Sequence, residues 1–495
     1  MNTMRYVSTR DQSLRFMPAQ AIEQGLSRDG GLFLPETFPK LPELKNLIPM
    51  TYQQRAVEIM KLFLEDFSEE ELTSFAEQAY GPEKFDCKEV APVVKLHCKT
   101  HVLELWHGPT CAFKDMALQM LPYLLTASMK KNGEDKTVCI LVATSGDTGK
   151  AALEGFKDVP GTKILVFYPK DGVSDIQELQ MVSQEGENVG VCSVVGNFDD
   201  AQTGVKKIFS DADFRKELSD RGYVLSSANS INWGRVLPQI VYYISAYCDL
   251  LASGEIKNGD PINVCVPTGN FGNILACYYA KKMGLPVKTM LCASNANNVL
   301  TDFIKTGIYD RNRPFYTTTS PSMDILISSN LERLLFDLCG SDEEVRGYMQ
   351  SLNETGRYEV SESIKERIKE NFACGFCDDT RTLNTIEKVF SSTGYLMDTH
   401  TAVAYTVLQD YRAATADDTP AVIASTASPF KFSDSVLTAL GETELKKGTD
   451  ILTQLTDRTG KPAPKPLAAL AGKAVRFTQV TEKEAMPEVV DDLLR

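Results

Sequence analysis

No window of this 495-residue chain approaches the ~18 consecutive apolar residues that a membrane-spanning helix needs. Residues 1–16 lack the apolar stretch of a secretory signal, so no export is expected. There is no excess of positive charge: Lys and Arg total 52 against 66 Asp and Glu, a net charge of -14. That balance excludes nucleic acid and anionic membrane as the main partner, although an acidic protein can still hold a local cationic pocket for a small anion. Internal repeats and low-complexity tracts are absent too. The twelve cysteines mostly lie inside apolar runs, such as Cys139 and Cys265, as reduced cytoplasmic thiols do. Cys374 and Cys377 form a C-x-x-C pair, but no second Cys or His pair follows to complete a zinc site. The expectation is a cytoplasmic protein without a bound metal.

What the chain does have is an ordinary globular composition, 43% hydrophobic and 24% charged, at a length that calls for two or three domains. From residue 137 onward, buried β-branched runs alternate with helical patterns. Thr137–Ala143, 163–168, 189–195 and 223–227 read as strands, with helices at 174–185 and 200–218 among them. The theme resumes after a helix over 234–252, with strands at 262–266, 287–291 and 421–425. This alternation predicts an α/β protein with parallel sheets covered on both faces. Two open lobes fit better than one long sheet. The expected division is an N-terminal lobe over 1–95, a large domain from 96–130 and 225–495, and a small mobile α/β domain over 131–224. Residues 330–395 read as a helical, charged surface insertion.

Four segments carry candidate chemistry. In Leu105–Asp115, Lys114 follows a Gly-Pro-Thr turn and Phe113, just before an apolar helix over 116–129. It is either a surface lysine in a first helical turn or a partly desolvated amine that attacks carbonyls. Ala143-Thr144-Ser145-Gly146-Asp147-Thr148-Gly149 lies between a strand and a helix, where hydroxyls and free N–H groups suit an anion. A plain turn explains it equally well. It is not a phosphate-binding P-loop, because Ala151 follows Lys150 and Thr144 stands where the leading Gly belongs. Asp147 is expected to cap its helix by accepting backbone N–H groups. Pro267-Thr268-Gly269-Asn270-Phe271-Gly272-Asn273 has G-x-x-G spacing rather than the dinucleotide G-x-G-x-x-G. It is either a tight turn or a cup of N–H donors for one phosphate. Ala424-Ser425-Thr426-Ala427 places a hydroxyl at a strand end. An amine, a single-phosphate cup, an anion loop and a strand-end hydroxyl together match the needs of pyridoxal 5'-phosphate.

At this point the chain resembles the threonine synthases that carry a long N-terminal lobe. The similarity rests on Tyr6–Arg10, Gln24–Leu26 with Asp29–Phe33, His107–Thr110 with Phe113–Asp115, Thr144–Gly149, Asn229–Trp233 and Thr268–Asn273. It runs to about residue 440 and is weakest between 330 and 395. The resemblance implies the pyridoxal-phosphate fold type II, similar to the tryptophan synthase β chain. Lys114 would then link to the cofactor aldehyde and act as the proton shuttle. Gly269, Asn270, Phe271, Gly272 and Asn273 would hold its phosphate, and Thr426 its ring nitrogen. The implied reaction turns O-phospho-L-homoserine and water into L-threonine and phosphate. Ser145, Thr148, Asn232 and Arg235 are the expected substrate ligands, with Lys170 in reserve. A phospho-lyase yielding 2-oxobutyrate, or a relative that binds the cofactor without catalysis, are the alternatives. A monomer is expected, because the N-terminal lobe could cover surfaces that shorter relatives bury in dimers. Ser428, Phe430, Lys150 and Thr399 depart from the family pattern, and His400 reads as structural.

Overall fold

A computed structural model describes residues 4–170 and 172–495; residues 1–3 and 171, which fall in the expected N-terminal and small domains, lie outside the described residues. Two sheets organise the chain. The larger runs in the order Phe372–Phe376, Val287–Ser294, Ile262–Pro267, Ala421–Ser425, Thr100–Glu104, Val93–His97. Every neighbouring pair is parallel except the last, which is antiparallel. The smaller runs Val480–Thr481, Val189–Val194, Thr162–Pro169, Thr137–Ala143, Tyr223–Ser226 and is parallel throughout. Continuous apolar strands such as Val264-Cys265-Val266 and Ile140-Leu141-Val142 are buried on both faces, as parallel sheets flanked by helices require. The α/β architecture with two open parallel-sheet lobes follows from this pairing.

Residues 4–92 form a small antiparallel sheet (Arg15–Phe16, Tyr6–Ser8, Phe33–Pro35) and several helices. This region does not stand apart. Tyr6 and Phe63 pack their rings on Trp233, 5.4 and 5.8 Å between centroids, at the start of the long buried helix Trp233–Ala252. One hydrophobic core therefore runs through both regions. The fully buried Arg333 bonds the carbonyls of Phe33 and Ile231, tying the same two parts together.

The tertiary structure departs from the sequence pattern in three places. Within 330–395, Phe372–Phe376 is an edge strand of the large sheet rather than part of a surface insertion. Its Ala373-Cys374-Gly375 centre lacks the β-branched residues that mark a strand. Cys374 faces the carbonyl of Thr301 and Cys377 the hydroxyl of Thr382, so the C-x-x-C pair is spent on local packing. The chain also crosses back at its end: Val480–Thr481 pairs with Val189–Val194, and Met486–Leu494 buries Met486 and Val490 in the core of the small sheet. A two-residue strand is too short to show a period. Finally, the helix expected over 116–129 breaks into Asp115–Leu118 and Leu121–Asn132, with Pro122 in the first turn of the second. Among the described residues, no helix is long and apolar enough to cross a membrane and no His/Cys/Asp/Glu group could hold a metal.

Candidate active site

All four candidate segments emerge at the C-terminal ends of parallel strands, after Glu104, Ala143, Pro267 and Ser425. In open α/β sheets the crevice outside these strand ends is where ligands bind. Thr100–Glu104 and Ala421–Ser425 are sheet neighbours, so the loops that follow them run side by side. The Phe113 N–H donates to the Thr426 carbonyl (2.8 Å), the Ser428 N–H donates to the Cys111 carbonyl (3.0 Å), and Ala112 bridges Ala427. Lys114 and Thr426 are thereby held next to each other by backbone alone. Cys111 takes a left-handed backbone (φ 58°) to make the turn. Lys114 opens the helix Asp115–Leu118, with its Nζ 4.8 Å from the centre of the Phe113 ring and its side chain only 13% exposed.

The glycine segment forms a cup. Phe271, at φ 64°, sits in the left-handed region and starts the helix Gly272–Met283, whose first N–H groups have no helical partners. The carbonyls are tied outward: Ser328 Oγ donates to Gly269 O (2.7 Å) and Asn330 N to Asn270 O (3.1 Å). Glycine is required at 269, because a Cβ there would lie 2.6 Å from the Ser322 carbonyl oxygen. The Asn273 side chain does not enter the cup. Its Oδ1 accepts from Tyr242 Oη (2.7 Å) and Tyr243 Oη, while its Nδ2 is buried without a partner, so this residue keeps that donor besides its backbone N–H.

Across the crevice, Thr144 Oγ1 accepts from the N–H groups of Gly146 (3.0 Å) and Gly149 (2.9 Å), closing the loop before the helix Asp147–Phe156. Asp147 is not the backbone cap expected of it. Its Oδ1 receives Lys431 Nζ (2.8 Å) and Gln177 Nε2 (2.9 Å). Its Oδ2 faces Lys114 Nζ at 3.8 Å and Ser322 Oγ at 3.5 Å. The carboxylate turns inward because two lysines there outweigh the cap. Burial alone would raise its pKa, but Lys431 and Lys114, with Gln177, hold it well below the usual carboxylate range. For Lys114 burial dominates and lowers the amine; Asp147 opposes that, while Lys431 and Arg235 add to it.

Among the expected substrate ligands, Arg235 is buried, and burial depresses its guanidinium to about 10. It donates to Ala228 O (2.5 Å) and its buried Nε has no partner. Ser145 is exposed and Thr148 half-buried, either side of Asp147. Asn232 donates through Nδ2 to Ile22 O (2.9 Å) and accepts through Oδ1 from Gly234 N (2.8 Å). Both ends of that amide are engaged, by the N-terminal region and by the cap of Trp233–Ala252. Lys170, exposed beyond the end of Thr162–Pro169, is not brought into contact with the others. His400 is structural: Nδ1 pairs with Asp398 (2.7 Å), and Nε2 accepts the Ser322 N–H (3.1 Å).

The residues that sequence reasoning missed are Lys431, Gln177 and Ser322. Lys431 carries one signal, a lone charge between Phe430 and Phe432 just after Thr426. Its Nζ also donates to Thr110 O (2.9 Å), and its side chain is fully buried. Gln177 and Ser322 carry none, since each reaches the site only through folding.

Comparisons with known proteins agree with this arrangement. Family models match in chain order: threonine synthase N terminus at residues 5–80, pyridoxal-phosphate dependent enzyme at 90–427, and threonine synthase C-terminal at 401–490. A human protein named threonine synthase-like 1 is 42% identical over 87% of this chain, which spans 58% of that protein's length. Threonine synthase of Pseudomonas aeruginosa is 38% identical, over 88% of this chain and 90% of its own. The crystal structure of pyridoxal-phosphate-bound threonine synthase from Brucella melitensis superposes with a TM-score of 0.88 at 36% identity, covering 99% of this chain and all of the other. With Lys114, the glycine cup and Thr426 gathered at one set of strand ends, the chain belongs to the threonine synthase family of pyridoxal-phosphate dependent enzymes.

Proposed function

We propose that the chain converts O-phospho-L-homoserine and water into L-threonine and phosphate. The observation that carries this reading is Lys114, largely buried, next to Phe113 whose N–H donates to Thr426 O, and facing a small-lobe anion loop across the crevice. The residues fit pyridoxal 5'-phosphate. Gly269–Asn273 supplies unpaired N–H groups at a turn where a Cβ at 269 would collide with the Ser322 carbonyl, which suits one phosphate. Thr426 is buried, and the bond it receives from the Phe113 N–H uses its carbonyl and not its hydroxyl, which suits the ring nitrogen. When bound, the cofactor supplies an electron sink for the charge left at the substrate Cα.

Lys114 Nζ would hold the cofactor through its aldehyde and, as a free amine, would move protons at the substrate Cα and then Cβ as the γ-phosphate departs. Its burial keeps the amine available for both tasks. Arg235, with donors unspent in a dry site, receives an anionic group of the substrate as a bidentate fork. Ser145 and Thr148 present hydroxyls at the N-terminus of Asp147–Phe156, where the helix dipole also favours an anion. The small domain over 131–224 closes on the larger one and admits water selectively.

The test is to incubate the purified protein with O-phospho-L-homoserine and identify the products. Threonine together with phosphate supports the assignment; 2-oxobutyrate in place of threonine makes the chain a phospho-lyase, and no turnover of a cofactor-loaded protein makes it a binding relative. Twelve free cysteines support a cytoplasmic setting. The packing of the N-terminal region over Trp233 supports a monomer, which sedimentation would check.

A further inference from the structure

Asp147 is the only carboxylate placed within 4 Å of Lys114 Nζ among the described residues, yet it belongs to Lys431. The Lys431 ammonium lies 2.8 Å from Oδ1 and is fixed on its other side by Thr110 O at 2.9 Å. Gln177 secures the same oxygen. Lys114, at 3.8 Å from Oδ2, is outside hydrogen-bond distance. Small-lobe Asp147 thus enters between two large-lobe lysines and pairs with the one that has no place in the cofactor link.

We propose that Lys431 is a positioning residue for Lys114: by holding the Asp147 carboxylate on its own ammonium, it leaves Lys114 free to stand as an amine. This rests on Lys114 being the cofactor lysine. A buried carboxylate needs a counter-charge. Without Lys431, the nearest cation for Asp147 is Lys114, which then keeps its proton and cannot attack an aldehyde. The remaining groups do not substitute for Lys431. Arg235, from Trp233–Ala252, adds positive charge near Lys114. Asp115 is spent on Thr110, through its N–H (2.8 Å) and Oγ1 (2.7 Å), and burial pushes its carboxyl up to about 6. The Cys111 thiol beside Lys431 is pushed up by burial and stays protonated. Ser322 contributes an uncharged hydroxyl, and His400 is occupied by Asp398 and the Ser322 N–H.

The measurement is the pH midpoint at which the full-length, cofactor-stripped chain recombines with pyridoxal phosphate, followed by its visible absorption and by borohydride trapping. Lys431→Met raises that midpoint by about one to two pH units. Lys431→Arg stays near the unmodified chain, and adding Asp147→Asn to Lys431→Met brings the midpoint back down. An unchanged midpoint in Lys431→Met, or a raised one that Asp147→Asn does not reverse, overturns the proposal. Should Lys431→Met fail to fold by circular dichroism, the same substitution is read in the Asp147→Asn background. There, with no carboxylate left to hold, it leaves the midpoint unchanged, and a rise of about one pH unit overturns the idea. Lys114→Ala separates the two levels: a visible band that survives it refutes the cofactor role of Lys114 instead.

Discussion

The two walls of the crevice are built differently. The large-lobe wall is made of backbone: the zipper between Phe113 and Thr426, and the cup of Gly269–Asn273 with its carbonyls tied away by Ser328 and Asn330. The small-lobe wall is made of side chains, with Asp147 reaching into the opposite lobe to meet Lys431, Lys114 and Ser322. Backbone features need particular residues in consecutive order, so they leave motifs. Side-chain constellations need only that distant residues arrive together, and they leave none.

The largest effect sharpens this contrast at its centre. Lys114→Ala abolishes the visible absorption of the lysine-linked cofactor and lowers turnover by more than about a thousandfold, while circular dichroism remains native. Next comes the backbone wall. In Gly269→Ala the added methyl meets the Ser322 carbonyl oxygen at 2.6 Å, and because that oxygen is backbone it cannot swing aside, so the cup must open. Overpacking of this kind costs about 1–3 kcal/mol and should weaken cofactor binding roughly tenfold or more, as equilibrium dialysis would show. Unaltered affinity would mean that the cup is not the phosphate site.

A smaller effect lies behind the wall. His107 sits between Asp86 (2.8 Å) and Glu104 (2.9 Å). Burial alone would lower its pKa, but the two carboxylates raise it to about 9 from an ordinary 6.5. A raised folded-state pKa stabilises fully below about 6.5, and that stability disappears as the pH climbs through about 9. His107→Gln should therefore lose on the order of 1–2 kcal/mol below the lower value, allowing for the part-exposed Asp86, and nothing above the upper one. Denaturant melts across that range decide it. Smallest is Asn232→Ala, which removes a helix cap and a tie to Ile22. It should cost about 1 kcal/mol of stability and leave KM for O-phospho-L-homoserine unchanged, whereas a substrate ligand would raise KM.

Much of the fold was legible because parallel strands buried on both faces are written as uninterrupted apolar runs. Thr137–Ala143 and Ala421–Ser425 stand where the pattern places them. Phe372–Phe376 was hidden by its small residues, and Val480–Thr481 by its length. In the site, Lys114, Gly269–Asn273 and Thr426 announce themselves through turns and glycines at strand ends. Asn232 and Asp147 were visible as residues but not as contacts. The first is claimed by a carbonyl in the N-terminal region, the second by a lysine that lies 284 positions further along the chain.

By itself the sequence determined the α/β alternation, the order of the motifs, and the family to which they point. Periodicity and turn chemistry act between neighbours in the chain, so they survive in a string of letters. Only the tertiary structure decided which charges meet in the crevice, because the low-dielectric pairing of Asp147 with Lys431 depends on two sheets packing strand end to strand end. The lysine that does the chemistry was readable locally, and the lysine that holds its neighbour was not.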